Sequence, residues 1–398
     1  MKAWKVGGAV RDMLLGRPVS DIDWVVTGAT PEEMLSAGYT PVGRDFPVFL
    51  HPTTKQEYAL ARTERKTAPG YHGFVFHTDA GVTLEEDLRR RDLTINAMAQ
   101  DEAGEITDPC GGQRDLEARL LRHVSPAFAE DPVRILRVAR FAARFGDFDV
   151  ASETRALMRE MVQAGEVDAL IAERVWQELS RGLMEAHPSR MLDVLQGCGA
   201  LSRLMPEIDA HWLACSGNAD PLRRAIDLSA QRAAPLAVRY AVLTHRLDRP
   251  DHELGATGAA RSALQSLCER WRVPSDCREV AEGVMREREA VRRSVSMHAE
   301  DLVQLLDRLD AWRRRERFEL MLLTCDCIER AEATQAPPRG QPTHARLRQA
   351  LRRAAAVDTG GVASLAALQG LRGPAIAAAV HAARVHAVDA DLNEEPND

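Results

Sequence analysis

The strongest constraint on this chain is a change of period. Up to about residue 115, short apolar runs such as Trp24-Val25-Val26 and Pro47-Val48-Phe49-Leu50 alternate with turns marked by Gly and Pro, the pattern of strands and their connections. From about residue 116 the strand signals fade and apolar residues recur at helical spacing. A chain that changes period once in this way is an α+β protein, with a small mixed-sheet head followed by an all-helical remainder. Its 398 residues make room for two to four domains. Aromatic residues are only 5% and the apolar share is carried by Ala, Leu and Val, which favours helices over β-sandwiches.

Breaks in the helical part fall at Pro188, at Pro206 and between His211 and Asp220. Residues 332–342, ATQAPPRGQPT, read as a Pro-rich connector. At Gly370-Leu371-Arg372-Gly373-Pro374, Gly373 suits a helix C-cap and Pro374 the first turn of the next helix. The seven cysteines are scattered, with Cys325-x-Cys327 the one close pair, and read as reduced thiols rather than a disulfide framework. The opening MKAWKVGGAVRD has no apolar signal core, and no run is long enough to span a bilayer, so a soluble cytoplasmic protein is expected, without a membrane partner and monomeric. The net charge of -7 does not advertise nucleic-acid binding, but binding depends on local patches. Lys2, Lys5, Lys55 and Lys66 are the only lysines among 52 basic residues, so the positive charge is nearly all guanidinium, the group that pairs bidentately with phosphate.

Four segments carry chemistry. In Asp21-Ile22-Asp23-Trp24-Val25-Val26, strand alternation puts Asp21 and Asp23 on one face and Ile22 toward the core. Two carboxylates so placed can bind hard divalent cations, although a D-x-D pair alone also describes a solvated edge strand. Upstream, Gly7-Gly8 leads into a helical pattern containing Arg11. Glycine lets the backbone approach phosphate, the helix N-terminus offers N–H groups, and Arg11 adds a fork of donors. In Asp87-Leu88-Arg89-Arg90-Arg91-Asp92-Leu93-Thr94-Ile95-Asn96, one arginine, Arg91 in our reading, reaches a triphosphate while Asp92 and Asn96 fix the loop or the sugar. The bland alternative is a capped surface helix with a charge run. From Glu130 to Phe145 an acidic cap and Pro132 open a helix. In it Arg134, Arg137 and Arg140 recur every three residues without an acid between them, and Ile135, Leu136, Val138, Phe141, Ala142 and Phe145 can pack inward.

Together these segments, quoted as GGAVRDMLLGRPVSDIDWVV, EYALARTERK, RRRDLTINAMA, DPCGGQRDL, LRHVSPAFAEDPVRILRVARFAARF and ERVWQEL, resemble the bacterial tRNA nucleotidyltransferases, the CCA-adding enzymes of the class that includes bacterial poly(A) polymerases. The resemblance is close from residue 1 to at least 185 and looser to the end. It implies a nucleotidyltransferase head over 1–115, a helical neck over 116–185, a body over 186–300 and a tRNA-binding tail over 301–398. It implies template-independent addition of C, C and A to tRNA from CTP and ATP, with two Mg2+ ions as cofactors on catalytic Asp21 and Asp23. It also implies nucleotide contacts at Gly8, Arg11, Arg91, Arg137 and Arg140, and base reading by Asp131 and Arg134.

The base-reading pair has a chemical logic. Cytosine and adenine share an edge with an amino donor beside a ring-nitrogen acceptor. A carboxylate accepts from the first and a guanidinium donates to the second. Uracil and guanine present a carbonyl beside an N–H and would leave both groups mismatched, at about 1–3 kcal/mol each. Asp131 is also placed to act as a plain helix cap.

The chain departs from many relatives of this class, which resemble metal-dependent phosphohydrolases in the body through a His-Asp pair and further histidines. Here His245 is followed by Arg246, and the next stretch holds the single His252. An arginine inside a would-be metal site opposes the ion, so the body is expected to be a scaffold without hydrolase activity. The rival readings are a poly(A) polymerase, which resembles this chain in the head but often carries a basic tail where this chain ends acidic, and an inactive RNA-binding scaffold, against which Asp21 and Asp23 argue.

Overall fold

The protein is described from a computed structural model, which covers residues 1–19, 21–42, 48–66, 74–77, 80–214, 220–247, 262–333 and 344–392. The chain forms two compact units, Met1–Ala210 and His211–Asp398.

The first unit is built on a seven-stranded mixed sheet. Its strands are β1 (Lys2–Val6), β2 (Asp23–Thr27), β3 (Thr40–Val42), β4 (Val48–Leu50), β5 (Glu57–Leu60), and, after a separate hairpin of β6 (Thr63–Lys66) and β7 (Phe74–His77), β8 (Ala99–Gln100) and β9 (Ile106–Thr107). The order across the sheet is β3-β4-β5-β2-β1-β8-β9. β2 runs parallel to β5, with Trp24 opposite Tyr58, and antiparallel to β1, with Val6 opposite Asp23. Alternation divides the strands between two cores. Val6, Val25 and Ala99 join Leu84, Leu88 and Ala97 on one side. Val26, Phe49, Tyr58 and Leu60 join Met34 on the other.

Helices α1 (Gly8–Leu14), α2 (Pro31–Ser36), α3 (Leu84–Arg89) and α4 (Gly112–Glu117) belong to this head. Thr83 and Glu86 form a reciprocal capping box that starts α3. A short parallel pair, β10 (Leu120–Leu121) with β11 (Asp149–Val150), brackets α5 (Val133–Arg144). All six residues expected to face inward from this region, Ile135 to Phe145, are buried. Next come α6 (Ser152–Gln163), α7 (Ala172–Leu183), α8 (Pro188–Cys198), α9 (Ala200–Leu204) and α10 (Pro206–Leu213), with α5 packed on both α7 and α8. The helical part breaks at Pro188 and Pro206 as expected, and each proline opens the helix that follows.

The second unit is helical throughout its described residues: α11 (Pro221–Gln231), α12 (Leu236–Thr244), α13 (Ala263–Arg270), α14 (Ser275–Arg293), α15 (Ala299–Arg308), α16 (Arg315–Glu332), α17 (Ala345–Ala355), α18 (Thr359–Leu368) and α19 (Pro374–Leu392). Helix α12 packs on α14 and α16, and α19 on α15, α17 and α18. Gly373 was expected to cap α18. The left-handed residue that follows this helix is instead Gly370 (φ 84°), while Gly373 (φ 52°) sits directly before Pro374. The helix stops three residues earlier than the proline implied, because glycine at 370 meets the positive φ first. Most of the connector at 332–342, and the acidic end from 393, lie outside the described residues. Among the described residues no helix is long and apolar enough to cross a membrane.

Gly112 exposes how tightly α4 sits on the Thr94–Asn96 turn. A Cβ there would collide with the Thr94 carbonyl oxygen and lie 3.0 Å from the Met98 side chain. Gly112→Ala should therefore destabilise the head by about 1–3 kcal/mol. Gly197→Ala, on an exposed part of α8 with nothing near the new methyl, should gain up to about 1 kcal/mol. Urea unfolding followed by circular dichroism separates the two; equal midpoints would show that the head yields at Thr94.

Candidate active site: an arginine-lined cavity in the first unit

A cavity of about 670 Å3 opens on the Val25 face of the sheet. Its described lining includes ten arginines (11, 62, 90, 91, 134, 137, 140, 144, 174 and 181) against five carboxylates (Asp23, Glu57, Asp92, Asp131 and Glu178). Such a balance in a partly enclosed space favours a multiply charged anion.

Gly7 ends β1. Its φ of 66° turns the chain so that α1 starts at Gly8, and both glycines line the cavity. A Cβ on Gly7 would lie 2.9 Å from Nη1 of Arg91, so the missing side chain is what lets that guanidinium lie against the loop. The buried Arg11 donates from Nη1 to Asn96 Oδ1 at 2.6 Å and from Nε to Asp12 at 2.9 Å. Burial lowers its pKa, and the bond and charge of Asp12 oppose that shift. Asp12 also takes Arg144 at 2.7 Å, tying α1 to the end of α5.

The other arginines are held in the same way. Asp87, fully covered, receives Arg90 (2.9 Å) and Arg91 (3.1 Å) as well as the Arg62 backbone N–H. Asp92 accepts from Arg137 (2.7 Å), from Asn96 (3.0 Å) and from the Leu93 N–H (2.8 Å). Burial alone would raise the Asp92 carboxyl, but the Arg137 charge and these hydrogen bonds outweigh it and hold the pKa below the usual carboxylate range. Arg137 is in turn raised, chiefly by Asp92. Arg140 donates to the buried Glu178 at 2.6 Å.

Of the residues expected to read the base, both reach the cavity, but only Arg134 lies within the helix. α5 begins at Val133, so Asp131 precedes it in extended conformation, and its carboxylate accepts from the Val133 N–H at 3.1 Å. The same carboxylate is gripped by both Nη atoms of Arg174, at 3.2 and 2.8 Å. Arg134 donates to the carbonyls of Ala127 and Arg90, each at 3.0 Å, which fixes its orientation. The cap and the cavity-facing acid are therefore one residue.

The acidic pair is arranged differently from the expectation. β2 begins at Asp23, because its partner β1 ends at Val6 where Gly7 turns away, so Asp21 lies two residues before the ladder and is exposed. Asp23 lines the cavity and Asp21 is not in its described lining. The parallel register that pairs Trp24 with Tyr58 sets Glu57 beside Asp23, and both line the cavity. Among the described residues Asp23 and Glu57 have no ion pair, whereas Asp92, Asp131 and Glu178 each hold an arginine. Unpaired oxygen ligands in a cavity otherwise crowded with cations suit a hard divalent ion, whose remaining ligands would come from phosphate oxygens and water. No group of three or more His, Cys, Asp or Glu side chains with metal-site geometry occurs among the described residues.

Glu57, Arg174, Glu178 and Asp12 were missed as site residues by reasoning from sequence. EYALARTERK and ERVWQEL were noted as segments without roles for their acids, and only the strand register or a helix packed from elsewhere brings these groups in. In the second unit, two of the residues weighed for a hydrolase site are described. His245 is buried at the end of α12 with Nδ1 2.7 Å from the Val242 carbonyl, and Arg246 lies 3.8 Å from Asp220. His252 lies outside the described residues.

Known proteins resemble this chain in sequence and in fold. Residues 3–122 match the family model described as "Poly A polymerase head domain", and residues 147–211 match "Probable RNA and SrmB- binding site of polymerase A". A "Multifunctional CCA protein" of Leptothrix cholodnii is 56% identical over 98% of this chain and 97% of its own length. That of Variovorax paradoxus is 54% identical over 98% and 99%. The structure of the Bacillus stearothermophilus CCA-adding enzyme in complex with CTP superposes with a TM-score of 0.69 at 25% identity, covering 98% of this chain and 89% of that one. With identity at this level along nearly its whole length and a head of the same architecture, the chain belongs to the family of bacterial CCA-adding tRNA nucleotidyltransferases.

Proposed function

We propose that this chain adds C, C and A in turn to the 3′ end of tRNA, from CTP and ATP and without a nucleic-acid template, releasing pyrophosphate. The observation that carries the reading is one cavity in which a glycine-opened helix, a set of carboxylate-anchored arginines and two unpaired acids converge. Gly8, Arg11, Arg91, Arg137 and Arg140 then hold the triphosphate. Because each of these arginines is already oriented, little ordering accompanies binding. Asp131 and Arg134 face the base. The first accepts from the amino group of cytosine or adenine and the second donates to the neighbouring ring nitrogen. Arg174 holds Asp131 in place through its two guanidinium contacts.

Divalent-metal dependence follows from the family, and we assign two Mg2+ ions to Asp21 and Asp23, with Glu57 as a neighbouring oxygen ligand. Bound there, the ions would lower the pKa of the attacking 3′ hydroxyl and offset charge on the leaving pyrophosphate. The four-part division at residues 115, 185 and 300 remains our functional partition. In it the head holds nucleotide and metal, the neck reads the base, the body is a scaffold and the tail grips the tRNA, in the cytoplasm.

The deciding experiment supplies purified protein with tRNA lacking its 3′ CCA, Mg2+ and each nucleotide separately or together, followed by product sequencing. Addition of CCA and then arrest is expected; an unlimited run of A would make the chain a poly(A) polymerase. Asp23→Ala should abolish addition while tRNA binding persists, and near-normal turnover by that variant would remove the assigned metal role.

Base choice gives a separate test. Asp131→Ala should cut discrimination between CTP and UTP by about tenfold or more, the effect of one mismatched polar contact. Arg174→Ala should do the same through a loosened Asp131. Values of kcat/KM for each nucleotide measure this, and unchanged selectivity in both variants would reduce Asp131 to a helix cap.

The second unit should show no metal-dependent hydrolysis of 2′,3′-cyclic AMP with Ni2+, Co2+, Mn2+ or Mg2+. Turnover that disappears in His245→Ala would establish a second active site.

A further inference from the structure

Two phenylalanines in and just beyond α5 are set among cations. Phe141 and Phe145 are one helical turn apart and stacked, with centroids 6.3 Å apart and planes 10° from parallel. The guanidinium carbons of Arg11, Arg137 and Arg140 lie 5.3, 5.8 and 4.6 Å from the Phe141 centroid. Those of Arg11, Arg17 and Arg144 lie 5.1, 4.7 and 5.5 Å from the Phe145 centroid. Five arginines thus surround two rings, and Arg11, Arg137, Arg140 and Arg144 line the cavity, as does Phe141 itself.

Packing explains why these residues are apolar but not why cations collect on them. Like charges repel strongly in a partly dry cavity. A carboxylate relieves that repulsion by cancelling charge and occupying N–H donors. An aromatic face relieves it differently. Its negative quadrupole attracts a guanidinium without neutralising it and without accepting its in-plane N–H groups. The donors not already given to Asp12, Asn96, Asp92 and Glu178 stay available to an anion.

We propose that Phe141, backed by Phe145, is a positioning residue for triphosphate recognition, gathering Arg11, Arg137 and Arg140 without occupying any N–H donor beyond those already given to Asp12, Asn96, Asp92 and Glu178. The inference rests on the reading of the cavity given above. It separates that site into two kinds of support: acids that fix where each arginine points, and an aromatic pair that makes their crowding tolerable. Phe141 acts on the shared triphosphate and should be indifferent to which base is attached.

The test uses the full-length protein with Mg2+ and measures binding of CTP and of inorganic tripolyphosphate by calorimetry. Phe141→Leu should raise both dissociation constants by about tenfold, the scale of a lost desolvated cation–π contact, while the preference for CTP over UTP is unchanged. Mono-, di- and trifluorophenylalanine at position 141 keep the ring's shape and drain its negative face. The logarithm of Kd for tripolyphosphate should rise steadily with fluorine number. A flat series, or Phe141→Leu binding like the wild type, overturns the proposal; if Phe141→Leu does not fold, the fluorinated series decides alone. Wild-type protein that binds neither ligand would instead overturn the reading of the cavity itself.

Discussion

The cavity depends on carboxylates that never need to touch a substrate. Asp12, Asp87, Asp92 and Glu178 are all buried, and each holds one or two arginines by short hydrogen bonds. A free guanidinium on a flexible stem must be ordered when it binds phosphate; one already clamped loses little further freedom. At Asp87 and Asp92 the paired arginines also hold the carboxyl below the usual carboxylate range, against the effect of burial. That stabilisation is complete above the ordinary carboxylate pKa and would be lost only as pH falls through the lower folded value. Across neutral pH the Asp87 and Asp92 clamps are therefore insensitive to protonation.

The clamps also join segments far apart in the chain. Asp12 reaches Arg144 from α1 to α5, Asp92 reaches Arg137, and Arg174 on α7 reaches Asp131. Sheet, neck helices and cavity cohere through the same pairs that orient the arginines, so stability of the first unit and readiness of the site are one property. Asp23 and Glu57 stand outside this scheme. Left without arginine partners, they keep local negative potential in a basic cavity, which a cation can use.

Much of this was legible in the sequence for definite reasons. The change from period two to helical period separated head from helices, and the glycine pair, the D-x-D and the arginine run carried the cavity's main contributors. Three things were hidden. The strand containing Asp21 was read one pair too long, because its length is set by where β1 stops at Gly7 rather than by its own residues. The arginine run looked unbalanced because its acids lie outside it, at Asp12, Asp92 and Glu178. Glu57 became visible only through the register of β5 against β2. Local pattern fixes period and turns; long-range pairing fixes which side chains meet.

One topological feature bears on how the protein is made. β1 is an interior strand of the sheet, flanked by β2 and β8, although it precedes both in the chain. During synthesis, then, Lys2–Val6 leaves the ribosome with both hydrogen-bonding edges open. One edge is closed when Asp23–Thr27 emerges, and the other must wait for Ala99 and Gln100. Over that interval the nascent head exposes an unpaired strand, the kind of surface that recruits chaperones or a neighbouring chain. The cost of making the first strand an interior one falls on the ribosome-bound intermediate rather than on the finished protein.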